Sequence, residues 1–174
     1  MIKVLSLDVS ASSTGWAFFS NRKRNNMSFG LIKTNPDFDA AERLCFFRQE
    51  LVKLLHTFSP THVVIEDVFL GFNVKTLVLI SKFAGVAIEC CMAVSGVCPH
   101  IISTNTVKSY FKAENKEDVF NVIKEIFEWD DNEVSFKKHN DITDSIAQLM
   151  CFCDDILKQH TFRFERKYGY LYEV

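Results

Sequence analysis

The chain has 174 residues, room for one domain with a sizeable core, and its 48% apolar and 24% charged residues are the ordinary balance of a globular protein. Its formal net charge of −2 excludes the basic excess with which nucleic-acid-binding proteins usually attract phosphates. No apolar run reads as long enough to cross a bilayer, and the first residues lack the pattern of a signal peptide. A cytoplasmic protein with no membrane partner is therefore expected.

Residues 2–8 alternate as a strand rich in aliphatic residues, and Thr14–Phe19 follows as a second strand after a turn of small residues, Ser10–Ser13. A polar hairpin, Asn21–Asn26, leads to a third strand at Met27–Lys33, completing an antiparallel meander. From Asp39 to Phe58 the apolar residues Leu44, Phe47, Leu51, Leu54 and Leu55 recur at helical spacing, and Ser59-Pro60 closes the helix. Thr61–Ile65 reads as a strand buried on both faces. A helix is predicted over Val74–Val94, a strand over Val97–Ser103, and helices over Thr106–Phe111, Glu117–Phe127 and Ile142–Gln159. The order βββαβαβααα predicts an α/β fold, a mixed sheet with helices on both faces. Residues 1–160 form the predicted domain, and 161–174 an aromatic and charged C-terminal extension. The 17 Phe exceed the usual number, which places some at the surface or in an interface.

The six Cys include the adjacent pair Cys90 and Cys91 and the close pair Cys151 and Cys153, without the C-x-x-C spacing of a zinc site. Small core residues kept reduced are expected.

Four carboxylates occupy telling positions. Asp8 ends the first strand, Glu66 ends the buried strand before it leaves the sheet, and Asp141 and Asp144 lie three apart at the predicted opening of the last helix. Taken singly each has a plain structural role: a strand end, an ion pair, a helix cap, a residue favourable to the helix dipole. Brought together they would repel, and their pKa values would rise unless cations neutralised them. Hard divalent ions with oxygen ligands do this, and two ions about 4 Å apart suit an in-line phosphoryl displacement.

Five segments in order extend this reading. LSLDVSASSTGWAFF, VVIEDVF, FAGVAIECCMAV, TVKSYFKAENKEDV and HNDITDSIAQ resemble successive motifs of the RuvC family of Holliday junction resolvases. The resemblance implies an RNase H-like fold and a homodimer that makes paired nicks in four-way DNA junctions. It further implies that Asp8, Glu66, Asp141 and Asp144 bind two Mg²⁺, with Mn²⁺ as a substitute, and that Lys108 and Lys116 approach the DNA backbone at the cut. Two such ions would reverse the sign of the net charge. Val9-Ser10 stands where the family usually has Pro-Gly, the segment between the two lysines is shorter, and the tail has no counterpart.

Further candidates for DNA contact are Lys75, Lys82, Lys112, Lys137 and Lys138, with the hairpin residues Arg22, Lys23 and Arg24. Phe69 and Phe72, just beyond Glu66, are candidate wedges that stack on bases at an opened branch point. His139 is a candidate proton shuttle. The same carboxylates would serve a nuclease of other branched DNA or of RNA–DNA hybrids. Two other readings are a non-catalytic junction binder and an actin-like ATPase that uses D-x-S-x-x-x-T-G, residues 8–15, as a phosphate loop.

Overall fold

A computed structural model of the protein describes residues 1–21, 27–68, 73–130, 132 and 134–158. The meander is β1 (Lys3–Asp8), β2 (Ser13–Ser20) and β3 (Met27–Lys33), followed by α1 (Ala40–Phe58), β4 (His62–Glu66) and α2 (Val74–Cys90). Then come β5 (His100–Ile102), α3 (Thr104–Phe111), α4 (Lys116–Ile126) and α5 (Phe136–Cys151). The sheet order is β3-β2-β1-β4-β5, antiparallel on the β2–β3 side and parallel where β4 joins β1 and β5 joins β4. This is the expected RNase H-like mixed sheet.

Period-two alternation divides the strands between two cores. Leu5, Leu7, Trp16, Phe18, Val63 and Ile65 pack with Phe47 and Leu51 of α1 and Phe83 of α2. Val4, Ala17, Phe19 and Val64 turn the other way, onto Val107, Val119, Ile123, Ile146 and Leu149 of α3, α4 and α5. Helix α5 is the most enclosed of these, because Thr143–Cys151 are buried without interruption.

Local chemistry sets the element ends. Asp39 and Glu42 form a reciprocal capping box that starts α1, and Ser59 ends it in the left-handed region. The strand predicted over 97–103 is shorter, because Pro99 has no amide to donate and Ser103 instead caps α3 through the Thr106 amide. The last helix begins six residues before the predicted Ile142, at Phe136. The Ser135 amide donates to His139 Nδ1 at 3.1 Å, and the Phe136 ring meets Phe120 edge-on at 5.5 Å. Asp141 and Asp144 therefore sit inside the helix and not at its opening, and neither caps it.

The helix expected over Val74–Val94 is present as α2 and its continuation, but the expectation that no run is long enough to cross a bilayer does not hold there. Helix α2 runs on through a π-helical turn, Cys91–Ser95, so that Val74–Ser95 is long and apolar enough to cross a membrane by length and composition. Lys75, Lys82 and Glu89 interrupt this run in sequence. Its inner side is buried in the core at Phe83, Ala84, Ala87, Cys90 and Cys91, while Val74, Val78, Ile88 and Met92 are exposed.

Candidate active site

Parallel register is what brings the first two carboxylates together. Leu7 of β1 pairs with Ile65 of β4, so the next residue along each strand, Asp8 and Glu66, lies beside the other at the same sheet edge. Both have the parity of Val4, Ser6 and Val64, and so face α5. From α5, Asp144 completes a group in which one oxygen of each of Asp8, Glu66 and Asp144 lies within 4.8 Å of the others. Asp141, one turn earlier on α5, lies outside that group, yet its charge acts on Asp144.

Cations and dipoles surround the three acids. Lys116, the first residue of α4, places Nζ 2.7 Å from Asp144 Oδ2 and 3.7 Å from Glu66 Oε1. A lysine at a helix N-terminus opposes the helix dipole, and this carboxylate group is what makes the position favourable. Glu66 Oε1 also accepts the Thr104 hydroxyl, while Glu66 Oε2 accepts Gln148 Nε2 at 2.8 Å. Gln148 Oε1 in turn accepts the Ser6 hydroxyl at 3.2 Å.

Burial, followed by the charge of Glu66, pushes Asp8 well above the usual carboxylate range. Asp144 is raised to about 6, chiefly by burial, with Lys116 pulling against it. For Lys116, burial opposes the charge, but Asp8, Asp144 and Glu66 together outweigh it and hold the ammonium above its ordinary range. Clustered oxygens that are unfavourable as anions are a hard donor set suited to divalent cations, so the residues fit the metal that the sequence implies. The thiols offer no comparable site. Burial lifts Cys91 and Cys153 to about 12, and Cys90, Cys91, Cys151 and Cys153 are the reduced core residues expected, whereas Cys45 and Cys98 are exposed.

Two further features hold the acids in place. Gly15 pairs with Asp8 across the β1–β2 ladder, and a Cβ added to it would lie 1.8 Å from the Asp141 carbonyl oxygen. Only glycine lets α5 approach β2 so closely. The loop after Asp8 is closed by hydroxyls. Ser10 Oγ accepts the amides of Ser12 and Ser13, and Thr14 Oγ1 accepts the Ser10 amide at 3.2 Å. Arg43 of α1 donates to the Ala11 carbonyl and to Thr34 Oγ1, and Thr34 Oγ1 donates to the same carbonyl at 2.7 Å.

The family model described as "Crossover junction endodeoxyribonuclease RuvC" matches residues 4–152. The chain belongs to the RuvC family. Among curated RuvC proteins it is 27% identical to that of Wolbachia pipientis wMel, covering 87% of this chain and 93% of the relative. It is 28% identical to that of Finegoldia magna, covering 86% and 92%. Among solved structures it superposes on a T. thermophilus RuvC in complex with Holliday junction substrate, with a TM-score of 0.73 and 18% identity, over 92% of this chain and 98% of that one. The yeast mitochondrial Holliday junction resolvase Ydc2 follows with a TM-score of 0.64 and 15% identity, over 91% and 81%. At these identities the two structures attest the fold.

In this RuvC-family protein the lysines separate by position. Lys108 lines a small cleft with Glu66, Thr104, Lys116, Asp144 and Gln148. Lys112 is exposed at the end of α3, Lys137 and Lys138 are exposed in the first turn of α5, and Lys75 and Lys82 are exposed on α2. His139 Nδ1 is engaged by the Ser135 amide, a capping role that the sequence reading did not include. Phe69, Phe72, Arg22, Lys23 and Arg24, and the extension 161–174, lie outside the described residues. Thr104, Gln148 and Ser6 escaped the sequence reading. The one available signal was a glutamine inside the apolar run that follows Asp144.

Proposed function

We propose that this RuvC-family protein is a metal-dependent DNA endonuclease that resolves four-way junctions by hydrolysing phosphodiester bonds in paired nicks. The observation that carries the reading is the convergence of Asp8, Glu66 and Asp144 oxygens within 4.8 Å at one sheet edge, with Lys116 among them. In this reading Asp8, Glu66 and Asp144 hold Mg²⁺, or Mn²⁺ in its place, and Asp141 is the fourth ligand. Two bound ions supply Lewis-acid stabilisation of the attacking and leaving oxygens. The chain's own cations do the rest of the electrostatics. Lys116 and Lys108 neutralise the phosphate beside the carboxylates, and Lys112, Lys137 and Lys138 extend the backbone contact outward, with Lys75 and Lys82 further candidates. Phe69 and Phe72 follow Glu66 in sequence and are the proposed base-stacking wedge that separates a branch point from plain duplex.

Paired nicks need two active sites, which a C2 homodimer supplies. Its proposed interface is α2, where the apolar residues Val74 and Val78 are 64% and 51% exposed. Light scattering that gave only monomer, with and without junction DNA, would remove this part of the reading. The activity is tested with a synthetic four-way junction, a linear duplex of the same sequence and an RNA–DNA hybrid, each with Mg²⁺ or with chelator. Symmetric nicking of the junction, dependent on the metal, is expected. Preferential cutting of the hybrid would replace the substrate, and binding without cutting in any metal would replace the enzyme with a junction-binding protein.

A further inference from the structure

Gln148 is 1% exposed, in the last turn of α5, between Ala147 and Leu149 in the stretch Thr143–Cys151 that is buried throughout. An amide enclosed among apolar neighbours is unfavourable unless both of its ends are bonded. Here both are, and their direction is not ambiguous. A carboxylate only accepts, so the Gln148 NH₂ must point to Glu66 Oε2, at 2.8 Å, and its oxygen must accept from Ser6 Oγ, at 3.2 Å. The two oxygens of Glu66 are thereby divided. Oε2 is held against the amide, while Oε1 faces Thr104 and Lys116, on the side of Asp144.

We infer that Gln148 is a positioning residue for metal binding: anchored by Ser6, it holds Glu66 Oε2 so that Glu66 offers the carboxylate cluster a single oxygen, Oε1. The inference rests on the nuclease reading of the site and adds what orients one of its ligands. Without the amide, Thr104 and Lys116 still engage Oε1 but Oε2 loses its anchor, so the carboxylate plane is less fixed and part of the metal's binding free energy is lost in ordering it. Partners that orient a metal ligand typically change affinity by about 10–100-fold when removed.

A structural role for Gln148 is separable from a positioning one. Gln148→Met removes the amide but also leaves the Ser6 hydroxyl, 0% exposed, without its acceptor, which destabilises the fold. Ser6→Ala combined with Gln148→Met removes that second defect, so its melting temperature in chelator returns toward the wild-type value. Mn²⁺ binding by calorimetry on the full chain supplies the readout, accompanied by junction cleavage against Mn²⁺ concentration. Both variants are expected to bind Mn²⁺ about ten-fold or more weakly, with the half-maximal Mn²⁺ for cleavage shifted by the same factor. Wild-type Mn²⁺ affinity in either variant, or affinity that recovers together with melting temperature in the double variant, overturns the inference alone. Should Gln148→Met not fold, the double variant carries the same comparison. A wild-type protein that neither binds Mn²⁺ nor cuts overturns the carboxylate reading itself, and the inference with it.

Discussion

On the α1 and α2 side of the sheet, Leu5, Leu7, Trp16, Phe18, Phe47 and Phe83 form an apolar layer, with the Phe47 and Phe83 rings 5.3 Å apart. On the α3, α4 and α5 side, alternate residues of the same strands begin as an apolar core and end as the polar chain Ser6–Gln148–Glu66, with Lys116 and Asp144 beside it. One face holds its neighbours by area and shape, which tolerate conservative exchange. The other holds them by directed bonds in a partly dry setting, where each lost partner leaves a group unsatisfied. A single β-strand can serve both because its side chains alternate. The site is thus mounted on the stable layer without being part of it.

The sharpest way to break this division is to remove charge from one side only. Asp8→Asn should lower junction cleavage by at least ~10³-fold, about 4 kcal/mol in the barrier. Its melting temperature in chelator should be unchanged or higher, because the carboxylate that burial and Glu66 disfavour is gone. In wild type Mg²⁺ should raise the melting temperature, and in this variant it should not. Cleavage near the wild-type rate would show that the acids belong to the scaffold after all.

The converse substitution lies on the opposite face. Phe47→Ala, at a fully buried ring, should lower stability by about 3–5 kcal/mol, a fall in melting temperature on the order of 10 °C. Cleavage per folded molecule, measured well below that melting point, should stay close to wild type. A parallel loss of rate would mean that the two faces are mechanically coupled.

Gly15→Ala tests the seam between sheet and site. Its Cβ would overlap the Asp141 backbone, so α5 must shift, at a cost of about 3 kcal/mol. Unlike Phe47→Ala, it should also reduce cleavage at temperatures where the protein is fully folded, because α5 carries Asp144. Normal cleavage with reduced stability would place Gly15 with the apolar layer.

The smallest effect is expected at Lys108, in the cleft and beyond the buried bonds. Lys108→Ala should weaken junction binding whatever the sequence and reduce its salt slope by about 1, with melting unchanged. An unchanged slope in fluorescence-anisotropy titrations over a range of salt would return it to solvated surface.

Much of the scaffold is legible from local pattern. β3 spans Met27–Lys33 as expected, α1 starts one residue after Asp39, and Asp8 and Glu66 stand at strand ends where the alternation predicts them. Period two, period 3.6 and capping chemistry are properties of neighbouring residues, so one chain suffices to read them. The start of α5 was not legible, because Phe136–Asp141 is polar after its first residue and is held by His139 reaching back to Ser135. The helix over 74–94 was legible to within one residue, but its membrane-spanning length and apolarity were not, because Lys75, Lys82 and Glu89, all on the exposed side, break the apolar run in sequence.

By itself, then, the sequence determined the order of elements and the carboxylates that end two strands. Which acids meet was decided by tertiary structure. Parallel register puts Asp8 beside Glu66, and the packing of α5 selects Asp144 over Asp141 for the group within 4.8 Å. Ser6 and Gln148 are 142 residues apart, and Gln148 and Glu66 are 82 apart. No local pattern relates such residues, since a buried hydrogen bond depends on the position of two whole elements. Only once β1, β4 and α5 are packed do a serine, a glutamine and a glutamate become one chain of bonds.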